Sequence, residues 1–93
     1  MGDYLTVKLG NKWGVIDKTG KEITFKYDVV SNIVEDMATV KLGNKWGVID
    51  KTGKEVIVPK YTYVSDFSRG LATILLDDKL GFISNIGVEY WED

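Results

Sequence analysis

The seventeen residues Thr6–Glu22, TVKLGNKWGVIDKTGKE, return unchanged as Thr39–Glu55. A looser copy, LDDKLGFISNIGVE, follows over 76–89. Trp13 and Trp46 are 33 residues apart, whereas Lys45-Trp46-Gly47 and Lys79-Leu80-Gly81 are 34 apart; the extra residue falls in a connector, beside Pro59. A fixed period of this size marks a repeat architecture, in which one unit cannot bury its own apolar surface and relies on its neighbours. The 93 residues divide into unit 1 at about 4–37, unit 2 at about 38–71 and a partial capping unit 3 at about 72–93, within a single β-repeat domain.

Inside the unit the period is two. Leu5, Val7 and Leu9 alternate with Tyr4, Thr6 and Lys8, which is the pattern of a strand. Gly10-Asn11 suits a two-residue hairpin turn with positive φ at the glycine, and Lys12–Asp17 returns. Asp17-Lys18-Thr19-Gly20 reads as a type I turn closed by a left-handed glycine, leading to a third strand over 22–25. The expected register sets Leu9 against Lys12, Val7 against Gly14, Leu5 against Ile16, Lys8 against Trp13 and Thr6 against Val15. Across the second turn it sets Val15 against Ile23 and Trp13 against Phe25. Both faces of the middle strand are then apolar, which requires cover on both sides. Glycine beside each tryptophan weakens a strand unless something packs close to it, so a neighbouring side chain is expected over Gly14 and Gly47.

The connectors read as single helical turns. Ser65 or Asp66 can cap the segment 63–70 and Gly70 can end it; in the first copy Val30, Val34 and Met37 fall at helical spacing, with Asp36 in the glycine's place. Residues 1–3 read as a loose start. The expected fold is therefore all-β: tandem three-stranded antiparallel meanders of 33–34 residues, up to nine strands, stacked into a compact curved or barrel-like array.

Composition narrows the function. Twelve basic and fourteen acidic residues leave a net charge of −2, and Arg69 alone is arginine, which argues against nucleic acid. Without histidine or cysteine the chain lacks the commonest general base and the commonest soft metal ligands. No basic-then-apolar leader and no apolar run of about 20 residues is visible, so no membrane insertion is expected. The compartment stays open, and is cytoplasmic if these residues are the full chain.

The combination KWGVIDKTGKE, VIVPKY and VSDFSRGLA resembles the bacterial WG-repeat family, named for its Trp-Gly pair. Residues 38–71 carry the likeness best, through Lys45-Trp46-Gly47-Val48-Ile49-Asp50, Gly53, Glu55-Val56-Ile57, Pro59, Tyr61, Phe67 and Gly70-Leu71-Ala72. Unit 1 departs by lacking the proline and by Ile33 and Asp36; unit 3 has Leu80 in place of tryptophan. The resemblance implies a non-enzymatic β-rich array with no shared substrate, cofactor or catalytic residue.

Several residues are candidates for chemistry. Trp13 and Trp46 could form a stacking platform, but Leu80 at the third position keeps bulk and loses the π face, so packing is expected. The Asp-Lys-Thr-Gly turns differ from an aspartic protease motif, which needs threonine directly after aspartate. Glu35-Asp36 and Asp77-Asp78 lack the alternating acidic spacing of a calcium loop. Lys18, Lys21, Lys51 and Lys54 read as solubilising charges. No catalytic, cofactor-binding or metal residue is assigned.

The expected function is a non-enzymatic repeat module acting as a protein-interaction or structural scaffold, with a protein partner of unknown identity. The rival is a carbohydrate-binding or hydrolytic protein of the bacterial envelope. Residues 38–71 sum to +3 and 72–93 to −4. Uneven charge and uncovered end units favour a homodimer, with Tyr90 and Trp91 at its contact, against which Glu92 and Asp93 could act as gatekeepers.

Overall fold

The computed structural model describes residues 4–92; the loose start expected at 1–3 and the gatekeeper role of Asp93 lie outside them. Eleven strands form among the described residues: β1 (Tyr4–Leu9), β2 (Lys12–Asp17), β3 (Glu22–Tyr27), β4 (Val29–Val30), β5 (Met37–Leu42), β6 (Lys45–Asp50), β7 (Glu55–Tyr61), β8 (Tyr63–Val64), β9 (Leu71–Leu76), β10 (Lys79–Ser84) and β11 (Glu89–Trp91). They make three antiparallel sheets, ordered β1-β2-β3, β4-β5-β6-β7 and β11-β10-β9-β8. The array is all-β, as expected, but the second and third sheets have four strands. The added strands, β4 and β8, come from the connectors.

The sheets lie face to face. Val48 and Ile49 are adjacent in β6, so they point to opposite faces, and both are fully buried. Ile49 joins Val30, Ala38 and Val40 against Val15 and Tyr27 of the first sheet. Val48 joins Tyr61 against Val64, Ala72, Ile74 and Ile83 of the third. Each such side chain contributes about 1.5–3 kcal/mol by burial, and neither could do so in an isolated sheet. The stack is open, measuring 45 × 26 × 15 Å. It does not close into a barrel, because each sheet keeps two unpaired edges.

The first hairpin has the expected register throughout, from Tyr4–Asp17 to Leu9–Lys12. The second does not. Val15 faces Thr24 and Trp13 faces Tyr27, while Gly14 faces Phe25 and Ile16 faces Glu22, with irregularities on both sides of the Gly14-Val15 pair. In unit 2 the slip is larger: Trp46 faces Tyr61 but Val48 faces Ile57. Val58, Pro59 and Lys60 therefore bulge over Gly47. Proline has no N–H to give a ladder, so a bulge accommodates it, and the thirty-fourth residue of the unit is absorbed there.

This bulge explains the glycine. A Cβ on Gly47 would lie 2.6 Å from the Ile57 carbonyl oxygen and 2.7 Å from the Pro59 nitrogen. What closes over Gly47 is thus the backbone of its own unit's third strand, not a neighbouring side chain. Gly14 meets the Thr24 backbone and, beside it, the Phe25 ring.

The expected helical turns are absent. Val29 and Val30 pair with Lys41 and Val40, and Tyr63 and Val64 pair with Leu75 and Ile74. Beyond them Val34 bridges Met37 and Ser68 bridges Leu71. The residues between, Glu35-Asp36 and Arg69-Gly70, all have positive φ, which makes tight two-residue hairpin turns. Gly70 and Asp36 are left-handed as expected, but they serve a hairpin. Ser65 accepts a backbone bond as a cap would, yet the donor is Thr73 N–H across the sheet at 2.8 Å. A free sheet edge offers this segment ladder bonds at once, whereas one helical turn must bear the cost of nucleation.

Two substitutions test this account. Gly47→Ala meets fixed backbone and is expected to lose about 3 kcal/mol. Gly43→Ala has open space and only the positive φ to oppose it, so it loses about 1–2 kcal/mol. Urea denaturation should rank them in that order; equal losses would contradict the bulge.

Candidate functional site

The polar chemistry of this chain is concentrated where one sheet meets the next. β3 ends on Lys26-Tyr27 and β7 on Lys60-Tyr61. Both tyrosines are fully buried. A buried hydroxyl without a partner is costly, and each finds a glutamate 28 residues further on. Tyr27 O–H donates to Glu55 Oε2 at 2.6 Å, and Tyr61 O–H donates to Glu89 Oε2. The preceding lysines close the arrangement, Lys26 Nζ at 3.4 Å from Glu55 and Lys60 Nζ at 3.1 Å from Glu89. Each ammonium also sits near its tyrosine ring, at 5.5 and 5.3 Å from the centroids.

The electrostatics follow. Burial, then the bond to the glutamate and its charge, push both phenols well above the usual tyrosine range. The bond from Tyr61 holds Glu89 below the usual carboxylate range, aided by Lys60 and opposed by burial. Neither the two phenols nor the Glu89 carboxylate titrates near neutrality.

Three further contacts join the units. Asp28 accepts from Gly43 N–H at 2.8 Å and pairs with Lys12 at 3.2 Å. The Gly43 bond, with Lys12, lowers its pKa. In the next unit Thr62 Oγ1 takes the same place and accepts from Asp77 N–H at 3.0 Å. Glu35 accepts from Arg69 and Gly70 N–H at 2.7 and 2.8 Å. Among the described residues no buried side-chain nitrogen or oxygen lacks a partner.

The sequence-derived candidates fall as follows. Trp13 and Trp46 are half-buried and pack against the two cores. Lys41 Nζ lies 6.0 Å from the Trp46 ring. Asp17 Oδ1 accepts from Thr19 N–H, Thr19 O–H and Lys21 N–H, and Asp50 repeats the set with Thr52 and Lys54. Both aspartates thus serve their own turns, and the Thr19 bond lowers the Asp17 pKa. Lys51 lies 3.9 Å from Asp36. Among the described residues no three carboxylates converge as a metal site would require. Tyr90 and Trp91 do not share a face. Tyr90 is 53% exposed, while Trp91 leans on the Tyr61 ring with centroids 6.4 Å apart.

Sequence reasoning missed Tyr27, Tyr61, Glu55, Glu89 and the bonding role of Glu35. The signal was present: Lys-Tyr and Lys-Glu or Val-Glu recur in step with the repeat. A shallow depression of about 270 Å³ lies beside Tyr4, Asp17, Lys18 and Thr19. It presents one carboxylate, already used by its turn, where glycoside hydrolysis needs two.

The linkage has a definite sign. Glu89 adds stability above the unfolded carboxylate pKa of about 4.3 and loses it as pH falls through its lower folded value. Tyr27 and Tyr61 add stability below about pH 10 and lose it as pH rises further. Thermal melts should show a plateau between these limits. Tyr61→Phe should cost about 1.5 kcal/mol on that plateau and make the alkaline fall less steep. An unchanged alkaline limb would contradict the contact.

Comparison with curated proteins and with solved structures returned no match. The family model described as "WG containing repeat" matches twice in tandem, over residues 13–46 and 46–79. The first match runs from Trp13 to Trp46 and the second from Trp46 to Lys79, the residue before Leu80, and together they span most of the chain. The chain belongs to the WG-containing repeat family.

Proposed function

We propose that this chain is a non-enzymatic repeat module that serves as a protein-interaction or structural scaffold. The observation that carries this reading is the use made of its polar groups. The buried tyrosines, their glutamates, Asp28, Glu35 and the turn aspartates are all engaged in joining units or closing turns. Apolar side chains meanwhile remain exposed at the two ends, Leu5 and Leu9 on one and Leu71 and Tyr90 on the other. Scaffold surfaces of this kind bind through area and edge strands rather than through reactive groups.

Self-association is part of the proposal. β11 is an edge strand with Tyr90 exposed, and the homodimer contact rests on Tyr90 more than on Trp91, which is turned towards Tyr61.

Two measurements test this reading. A screen of glycans and chromogenic glycosides should show neither saturable binding nor turnover; either result would favour the envelope carbohydrate protein. Sedimentation at micromolar concentration should show a dimer that Tyr90→Lys converts to monomer. A single monomeric species for the parent chain would reject the dimer.

A further inference from the structure

Thr6–Glu22 and Thr39–Glu55 are the same sequence, yet they are differently occupied. Over the second copy lies the segment Lys26-Tyr27-Asp28-Val29-Val30-Ser31. Lys26 and Tyr27 bind Glu55. Asp28 N–H donates to the Lys41 carbonyl at 2.8 Å, and the Asp28 carboxylate accepts from Gly43 N–H. Val30 pairs with Val40. Ser31 N–H donates to the Thr39 carbonyl at 2.9 Å, and its hydroxyl accepts from Thr39 N–H at 2.9 Å.

The third unit is held the same way by Lys60-Tyr61-Thr62-Tyr63-Val64-Ser65. Lys60 and Tyr61 bind Glu89, Thr62 N–H donates to the Leu75 carbonyl, and Val64 pairs with Ile74. Ser65 N–H donates to the Thr73 carbonyl and its hydroxyl accepts from Thr73 N–H. The common pattern is Lys-Tyr-X-X-Val-Ser, and it is seen twice with the same bonds.

Over the first copy, no such segment lies among the described residues. β1 is an edge strand, paired only with β2. Glu22 is exposed, and Leu5 and Leu9 are 55% and 58% exposed on the face that in unit 2 packs against the preceding sheet. The groups corresponding to the occupied site are Glu22, the Lys8 carbonyl, Gly10 N–H, Val7, and the N–H and carbonyl of Thr6.

We propose that this edge is a docking site for an extended Lys-Tyr-X-X-Val-Ser strand of a further WG-repeat unit. The partner strand adds antiparallel to β1. Its valine lies opposite Val7, its tyrosine hydroxyl donates to Glu22, and its serine closes on Thr6. Specificity comes from the tyrosine–glutamate bond and the serine clasp. Affinity comes from the ladder and from covering Leu5 and Leu9. This inference rests on the interaction reading above and names its partner chemistry.

The test is titration of the full chain with a synthetic acetylated peptide of residues 24–32, followed by amide chemical shifts and fluorescence anisotropy. Saturable binding is expected, with shifts at Thr6, Lys8, Gly10 and Glu22. Changing the peptide tyrosine to phenylalanine, or Glu22→Ala in the protein, should each weaken binding about tenfold, as expected for a bond to a charged acceptor; combining them should weaken it little further. Glu22 is exposed, so its loss leaves the fold intact, and the peptide variant needs no folding at all. No saturable binding, indifference to both changes, shifts at Thr39–Gly43 instead, or pairing of β1 between two copies of this chain would each overturn the proposal. The glycan and glycoside assays do not involve this edge, so failure here leaves the scaffold reading standing.

Discussion

The array depends on a phenol placed in an apolar core with one acceptor in reach. Tyr27 supplies bulk to the contact between the first two sheets and is fully buried there. Its hydroxyl can be satisfied only if Glu55 of the next unit arrives in register. Apolar packing alone tolerates sliding of one sheet over another. A buried donor with a single carboxylate partner does not, because a displaced unit would leave the hydroxyl unpaired. The same argument applies to Tyr61 and Glu89. Unit 2 thus carries both halves of the joint, the accepting Glu55 at the start of its third strand and the donating Tyr61 at its end, while unit 1 supplies the donor Tyr27 and unit 3 the acceptor Glu89.

Repetition is then a physical necessity for the middle sheet. β6 has one buried residue for each core in succession, Val48 and Ile49. A strand so constructed is stable only between two neighbours. The short strands β4 and β8 extend this interdependence, since each leaves one unit's connector to complete the next unit's sheet. The units are joined by packing, by side-chain bonds and by a shared backbone ladder.

Much of this was legible from alternation and turn chemistry. The first hairpin followed from Leu5, Val7 and Leu9 with Gly10-Asn11, because a two-residue turn leaves one register for the strands it joins. The two-sided burial of the middle strand followed from apolar residues on both parities. The third strand of unit 1 was misregistered because period two cannot register a bulge, and irregularities on both sides of Gly14-Val15 shift its partners. In unit 2 the extra residue at Pro59 and the glycine beside Trp46 were traces of the bulge. The connectors were read as helical because Ser65 and Gly70 suit helix ends, and two-residue strands have no period to detect. The tyrosine–glutamate joints escaped because their partners are 28 residues apart and lie in elements that were read separately. Of the two residues proposed for self-association, Tyr90 is 53% exposed and Trp91 is 37% exposed beside the Tyr61 ring.

The central claim is that the buried tyrosine and the next unit's glutamate act as one element. A double-mutant cycle on Tyr27→Phe and Glu55→Ala, followed by equilibrium denaturation, tests it most directly. The account predicts a coupling energy of about 1–2 kcal/mol, so that the second substitution costs little once the first is made. Losses that add to within about 0.3–0.5 kcal/mol would show two independent residues and contradict it.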